Sequence, residues 1–329
     1  MILTLQLFSL VLSFLNPFQI PFEDKKEIKN RDVEQIQTLL RKVNIQRKLV
    51  EFYPVDLGFF EKFEPLKEFE SRVSRCLKQV LIDPQKGLWP VCELVKINEG
   101  GKDCFVLSCP YNGIYPQLLK SLITGLEEIG FNGYVYYRIG GFPNPTGIEA
   151  KWAGVPYSFK IFMMMEAYQL GFQCPIWLDC ALFPYKNPQG LFERVRSEGS
   201  LMLHRKHPAR EILPATKSIL ELATKVDVSQ ARHVRMWVFG LDMEREWVKS
   251  FLNQYTNLVE MGTPFLSCYP EEFVISAIAN AHFDHIPSLS NPKLVPSQGY
   301  GKIVKTHDKD AGNYWRACED GYMFVVRNH

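Results

Sequence analysis

The chain has 329 residues, of which 46% are hydrophobic and 22% charged, a balance that excludes a disordered chain and, at roughly 150 residues per domain, allows about two domains or one α/β domain with an extension. Lys and Arg total 38 against 36 Asp and Glu, a formal net charge of +2, so no field of a single sign draws the protein to nucleic acid. The 23 Phe and 14 Tyr suit a Phe-rich core, and would also suit a deep pocket.

Residues 2 to 15 are almost wholly apolar and carry no charge. The run fits a signal-peptide core and falls short of the roughly 20 residues that cross a bilayer. No Lys or Arg precedes it and no small-residue cleavage site follows. Lys25, Lys26, Lys29 and Arg31 come after it and would hold the body of the protein in the cytoplasm if the segment inserted. Residues 1–22 are therefore read either as a signal or membrane-associating segment or as a buried N-terminal helix, with a cytoplasmic or membrane-associated placement favoured over export.

Val33, Ile36, Leu39, Leu40 and Val43, then Leu66, Phe69, Val73, Leu77 and Val80, recur at helical spacing. Residues 23–100 are expected to be a helical N-terminal region, closed by the turn cluster Asn98-Glu99-Gly100-Gly101-Lys102-Asp103. From 101 to 329 the texture is that of one α/β domain. A buried strand at 105–109 leads to an amphipathic helix around Leu118, Leu122, Leu126 and Ile129. A second strand at 133–139 leads to a Gly- and Pro-rich loop. A helix at 156–170 precedes a third strand at 175–179. A strand at 234–239 precedes a helix at 244–258. This alternation predicts a doubly wound, mainly parallel sheet whose ligands sit at the carboxyl ends of the strands.

The eight cysteines include no Cys-x-x-Cys pair, and Cys104, Cys109, Cys174 and Cys180 lie in apolar contexts that suit reduced core residues. His204-x-x-His207 and His282-x-x-His285 lack a third ligand of clear spacing, and surface or capping histidines are the more frequent source of that pattern. Common phosphate-loop, dinucleotide, serine-hydrolase and metalloprotease fingerprints are absent.

The informative stretch runs from Tyr157-Ser-Phe-Lys160 through Trp177-Leu-Asp179-Cys-Ala181 to Pro188-Gln-Gly-Leu191-Phe192. It resembles the core of GT-A-fold glycosyltransferases, the mannosyltransferase-like families in particular. Their pattern is a Tyr-x-x-Lys helix, an apolar strand ending in Leu-Asp-x-Asp, and a Pro-x-x-Leu-Phe segment. The resemblance covers roughly residues 104 to 200 and, more loosely, continues to 285. It implies a GT-A-like fold and transfer of a hexose from a UDP- or GDP-linked donor to an acceptor hydroxyl. An Asp at a strand's carboxyl end can hold Mn²⁺ or Mg²⁺ against a diphosphate through hard oxygen ligands, and a nearby Lys can meet the same phosphates as a point charge.

By the same resemblance, Pro110 and Tyr111 would receive the nucleotide base, Asn144 would meet a sugar hydroxyl, and Lys160 and Arg138 would face the leaving diphosphate. Asp179 would bind the metal, with His307 as a distant second ligand. Glu272 would serve the acceptor side as a base, although Glu271 and Glu272 also read as ordinary first-turn acids. One departure matters: where the family carries a second Asp, this chain has Ala181. Three readings stay open. Asp179 holds the metal with a distant ligand, the charge is met without metal, or the chain is a non-catalytic binding or scaffold protein. Asp179 is expected to end a central strand and open onto the largest polar cleft beside Lys160.

Overall fold

The computed structural model describes residues 91–110, 115–140, 142–143, 145, 155–205, 212, 214–265, 267, 269–282 and 323–326. The apolar segment at 1–22, the two amphipathic helices at 33–50 and 65–82, and the side chains of Tyr111, Asn144 and His307 all lie outside the described residues.

The described elements, in chain order, are β1 (Val91–Ile97), β2 (Cys104–Cys109), α1 (Tyr115–Glu128), β3 (Gly133–Ile139), α2 (Phe159–Gln169), β4 (Ile176–Leu178), β5 (Leu182–Pro184), α3 (Gln189–Glu198), β6 (Ser200–Arg205), α4 (Pro214–Thr224), β7 (His233–Leu241), α5 (Glu246–Met261), a single 3₁₀ turn (Thr263–Phe265), α6 (Pro270–Ala281) and β8 (Phe324–Val326). Six strands form one sheet in the order β1-β3-β2-β4-β7-β6, and β5 pairs with β8 in a separate ribbon. The fold is α/β, as the alternation predicts.

Strands β3, β2 and β4 are mutually parallel. Strand β7 runs against β4, and β6 runs against β7, so β6 points the same way as β4 from the far side of an inserted antiparallel strand. Strand β1 is antiparallel to β3. The sheet is therefore mainly parallel in strand direction but mixed in its ladders. β1 also corrects the domain boundary: it precedes the turn at 98–103, so the α/β unit extends back at least to Val91 and the helical region cannot run to residue 100.

Helices cover both faces. Trp177 of β4 meets Phe159 of α2, and Phe239 of β7 meets Phe251 of α5. On the opposite face Phe105 of β2 packs edge-on against Phe192 of α3 at 4.8 Å and lies 5.1 Å from Phe131. A Cβ built on Gly240 would come within 2.7 Å of Val195 on α3, so β7 approaches that helix as closely as a bare backbone allows. β2 reads Cys-Phe-Val-Leu-Ser-Cys and is buried along nearly its whole length, as a parallel strand covered by helices on both sides must be. Cys104, Cys109, Cys174 and Cys180 are free and buried, in keeping with their expected role as core residues, and the half-buried Cys92 is free as well.

Candidate functional site

The carboxyl ends of β2, β3 and β4 share one edge of the sheet with the starts of β1 and β7 and the end of β6, because those strands are antiparallel neighbours in this register. Asp179 stands at that edge, one residue past β4. Its N–H donates to the Trp237 carbonyl at 2.9 Å, and its Oδ1 accepts the Ala181 N–H at 3.0 Å. The second bond is the local turn that an Asp side chain makes with the backbone two residues on. Asp179 is half-buried.

Lys160 sits in the first turn of α2, behind Tyr157, whose φ of 61° puts a non-glycine residue in the left-handed region. Such strain persists only where the surroundings hold it, and it clusters at functional sites. The Lys160 ammonium lies 5.1 Å from the Tyr157 ring centroid and 5.6 Å from that of Trp177, and it donates to Glu271 Oε1 at 2.6 Å. Burial alone would depress this amine. The charges of Glu271, Asp179 and Glu272 outweigh burial and hold it above its ordinary value. The sequence-predicted pair Lys160 and Asp179 is thus brought within electrostatic reach of one another.

Helix α6 begins with Pro270, whose missing N–H costs nothing at the first helical position, and continues into Glu271 and Glu272. Both carboxylates are buried, so the solvated first-turn acid is not what the fold makes of them. Burial pushes the Glu271 carboxyl up, Lys160 pulls against it, and Glu272 adds to the rise. For Glu272 burial also works upward, but the hydrogen bond and charge of His233, reinforced by Lys160, carry it below the usual value. Glu272 Oε2 lies 2.7 Å from His233 Nε2, and Oε1 accepts the Met236 N–H at 3.2 Å. With an oxygen on each side engaged by β7 and a lowered pKa, Glu272 is poorly disposed as an acceptor-side base.

The Met236 bond has a topological cause. Between the pairs Met202–Phe239 and Leu203–Arg235 the register of β6 on β7 slips, so residues 236–238 bulge from the ladder. The freed Met236 N–H goes to Glu272, whereas the Trp237 carbonyl, on the β4 side of the strand, accepts the Asp179 N–H and carries the β4–β7 ladder one residue further. Bulges of this kind re-aim backbone and side chains beside functional sites. Above the bulge the Arg235 guanidinium stacks on the Trp237 ring at 4.4 Å.

Arg138, at the end of β3, is committed elsewhere. Its Nη2 donates to both oxygens of Glu166 on α2 at 2.8 and 3.0 Å. Tyr136 donates to the same carboxylate at 2.7 Å, and the Cys92 thiol donates to Tyr136 Oη at 3.1 Å. Its Nε is buried with no partner among the described residues, as is the indole N–H of Trp177. Pro110 is buried immediately after β2.

Sequence reasoning missed His233, Arg235, Glu166 and the buried role of Glu271. One signal was available for two of them. In His233-Val-Arg235-Met-Trp, polar residues alternate with apolar ones in a strand that ends fully apolar, and such residues need partners once buried.

A groove of about 580 Å³ lies at the opposite, amino edge of the sheet, lined by Gly100, Lys102, Asp103, Asn132, Gln189 and Arg196. Asp179 is not among its lining residues. Asp103 there is 2% exposed and accepts from Arg196 Nη1 at 2.6 Å. Among the described residues no group of three or more His, Cys, Asp and Glu side chains is arranged to hold a metal ion, so at Asp179 they supply one carboxylate and do not by themselves complete a metal site. Among them, too, no helix is long and apolar enough to cross a membrane.

No family model matches the chain, and no curated protein matches it. Among solved structures the chain is similar to the apo form of mouse xyloside xylosyltransferase 1, with 14% identity over 65% of this chain and 73% of that one, at a TM-score of 0.33. A likeness of that extent decides neither activity nor substrate.

Proposed function

We propose that the protein is a glycosyltransferase that moves a hexose from a UDP- or GDP-linked donor to an acceptor hydroxyl. The observation that carries this reading is that Asp179 stands at the carboxyl edge of the parallel strands with its charge acting on Lys160, since the two come from the segments whose spacing resembles the GT-A glycosyltransferase core. That edge is where ligands bind in open α/β sheets. A cation that stays charged at neutral pH suits electrostatic stabilisation of a leaving diphosphate, and the Tyr157 and Trp177 rings that flank it exclude water and strengthen its charge. Asp179 is the residue at which Mn²⁺ or Mg²⁺ would be held, with His307 as a second ligand. The described residues supply one carboxylate for the ion. Tyr111 and Asn144 keep their roles toward base and sugar as part of the proposal.

A non-catalytic binding or scaffold role is the second reading, and Ala181 in place of the second metal-motif Asp favours it. Thermal unfolding with UDP or GDP, with and without Mn²⁺, separates the two. A nucleotide at about 100 times its dissociation constant stabilises the folded state by about 2.7 kcal/mol. The transferase reading expects that stabilisation, and expects Asp179→Asn to abolish its metal-dependent part while leaving unliganded stability nearly unchanged. No shift with either nucleotide, in the presence or absence of Mn²⁺, refutes it in favour of the scaffold.

A further inference from the structure

Lys160 does not stand unpartnered for an incoming diphosphate. Its ammonium is taken by Glu271 at 2.6 Å, and both side chains are less than one-tenth exposed. Glu271 thus makes to Lys160 the contact that a phosphate oxygen would make: an anionic oxygen in a charge-assisted hydrogen bond, inside a wall of aromatic rings. We propose that Glu271 is an internal stand-in for the donor's diphosphate, and that a nucleotide diphosphate binds by displacing Glu271 from Lys160 with uptake of one proton onto the Glu271 carboxyl. This inference rests on the glycosyltransferase reading and adds to it a competitor for the nucleotide and a proton.

The charges around Glu271 require the proton. On its own helix stands Glu272, an anion. From α2 comes Lys160, and from the end of β4 Asp179, whose charge acts on Lys160. From β7 come His233, bonded to Glu272, and Arg235, stacked on Trp237. Helix α5 contributes the buried Tyr255 hydroxyl, which feels the Glu271 charge, and α4 contributes the Lys217–Glu221 pair, which is about one-third exposed and closed on itself. Lys160 is the cation bonded to Glu271. When its Nζ turns to a phosphate, Glu271 is left as a buried carboxylate beside a second carboxylate, with its counter-charge gone. A buried charge that loses its partner is costly, and a carboxylate in that position neutralises instead. The proton comes from solvent and forms an O–H bond on Glu271. No other bond changes.

The test is isothermal titration of the full chain with UDP and with GDP, with and without Mn²⁺, at pH 7.0 in PIPES, HEPES and Tris, whose ionisation enthalpies differ. The dependence of the observed heat on the buffer counts the protons exchanged. The native protein is expected to take up about one proton more per nucleotide than Glu271→Gln. Glu271→Gln, whose amide competes weakly for Lys160, is expected to bind the nucleotide about tenfold more tightly. Equal proton counts in the two proteins, or weaker binding by Glu271→Gln, overturns the inference. Should Glu271→Gln fail to fold, the native count decides alone, and zero uptake or net release overturns it. Binding without proton uptake removes this inference and leaves the glycosyltransferase reading standing. Binding of neither nucleotide removes both.

Discussion

Replacing Lys160 by Met tests whether the Lys160–Glu271 pair is held together as the geometry indicates. At the observed 2.6 Å and an effective dielectric of about 20, the gross attraction is about 6 kcal/mol, most of which is spent on taking both ions out of water. The Met side chain keeps the length and fills the slot between Tyr157 and Trp177. It leaves Glu271 buried next to Glu272 without a cation, and removing one partner of a buried pair costs about 3–5 kcal/mol. Urea unfolding at pH 7.5 should show that loss. The double variant Lys160→Met, Glu271→Leu should recover to within about 1 kcal/mol of the native protein, since an apolar pair of similar volume replaces a buried ion pair at little or no net cost. The pH dependence has a defined sign. Without Lys160 the folded-state pKa of Glu271, already raised by burial, rises further above its unfolded value. The deficit is then smallest below the ordinary glutamate value of about 4.3 and grows as the pH climbs through the raised one. A Lys160→Met loss under about 1 kcal/mol, or a double variant as unstable as the sum of the two singles, would show that the pair is not the buried unit described above.

Two further outcomes follow from the packing. Gly133→Ala places a Cβ 2.6 Å from the Asp103 carbonyl and against the Phe131 ring; backbone cannot yield as a flexible side chain can, so a loss of roughly 1–3 kcal/mol is expected in thermal or urea unfolding, and an unchanged midpoint would contradict the close approach of these strands. Arg138→Met strands the Glu166 carboxylate and should cost about 3 kcal/mol, whereas Arg138→Met with Glu166→Leu should regain most of it; if that stable double variant binds UDP and GDP as the native protein does, Arg138 serves α2 and has no part in holding the diphosphate.

Much of the fold was legible because burial writes a period into the sequence. β2, α1, β3, α2, β4, β7 and α5 each carry an apolar run or helical stripe long enough to read. The elements that went unread are those whose cause lies outside their own residues. β1, Val-Cys-Glu-Leu-Val-Lys-Ile, alternates weakly, and pairing with β3 decides its state. β5 has three residues and exists through β8, a partner more than a hundred residues later in the chain. The insertion of β7 between β4 and β6 is a matter of strand order, which no local periodicity records.

The site divides along the same line. Lys160 and Asp179 were legible because each sits in a short motif next to an apolar element that says which end of the sheet it occupies. Glu271 was read as a first-turn acid because its own helix gives a sufficient reason for an acid there, and the partner that gives it a different one, Lys160, is 111 positions away. The same holds for Glu272 with His233 and for Glu166 with Arg138, at separations of 39 and 28. A chain that buries or half-buries two cations, a histidine and three carboxylates in these pairs leaves each desolvated group uncompensated unless the pairing is complete. The polar interior at this edge therefore acts as a set of matched contacts in which moving one charge obliges another to move or to take a proton. On the proposed reading, a nucleotide that claimed Lys160 would enter that set as a substitute for Glu271, and the proton taken up would follow from leaving a buried carboxylate without its counter-charge.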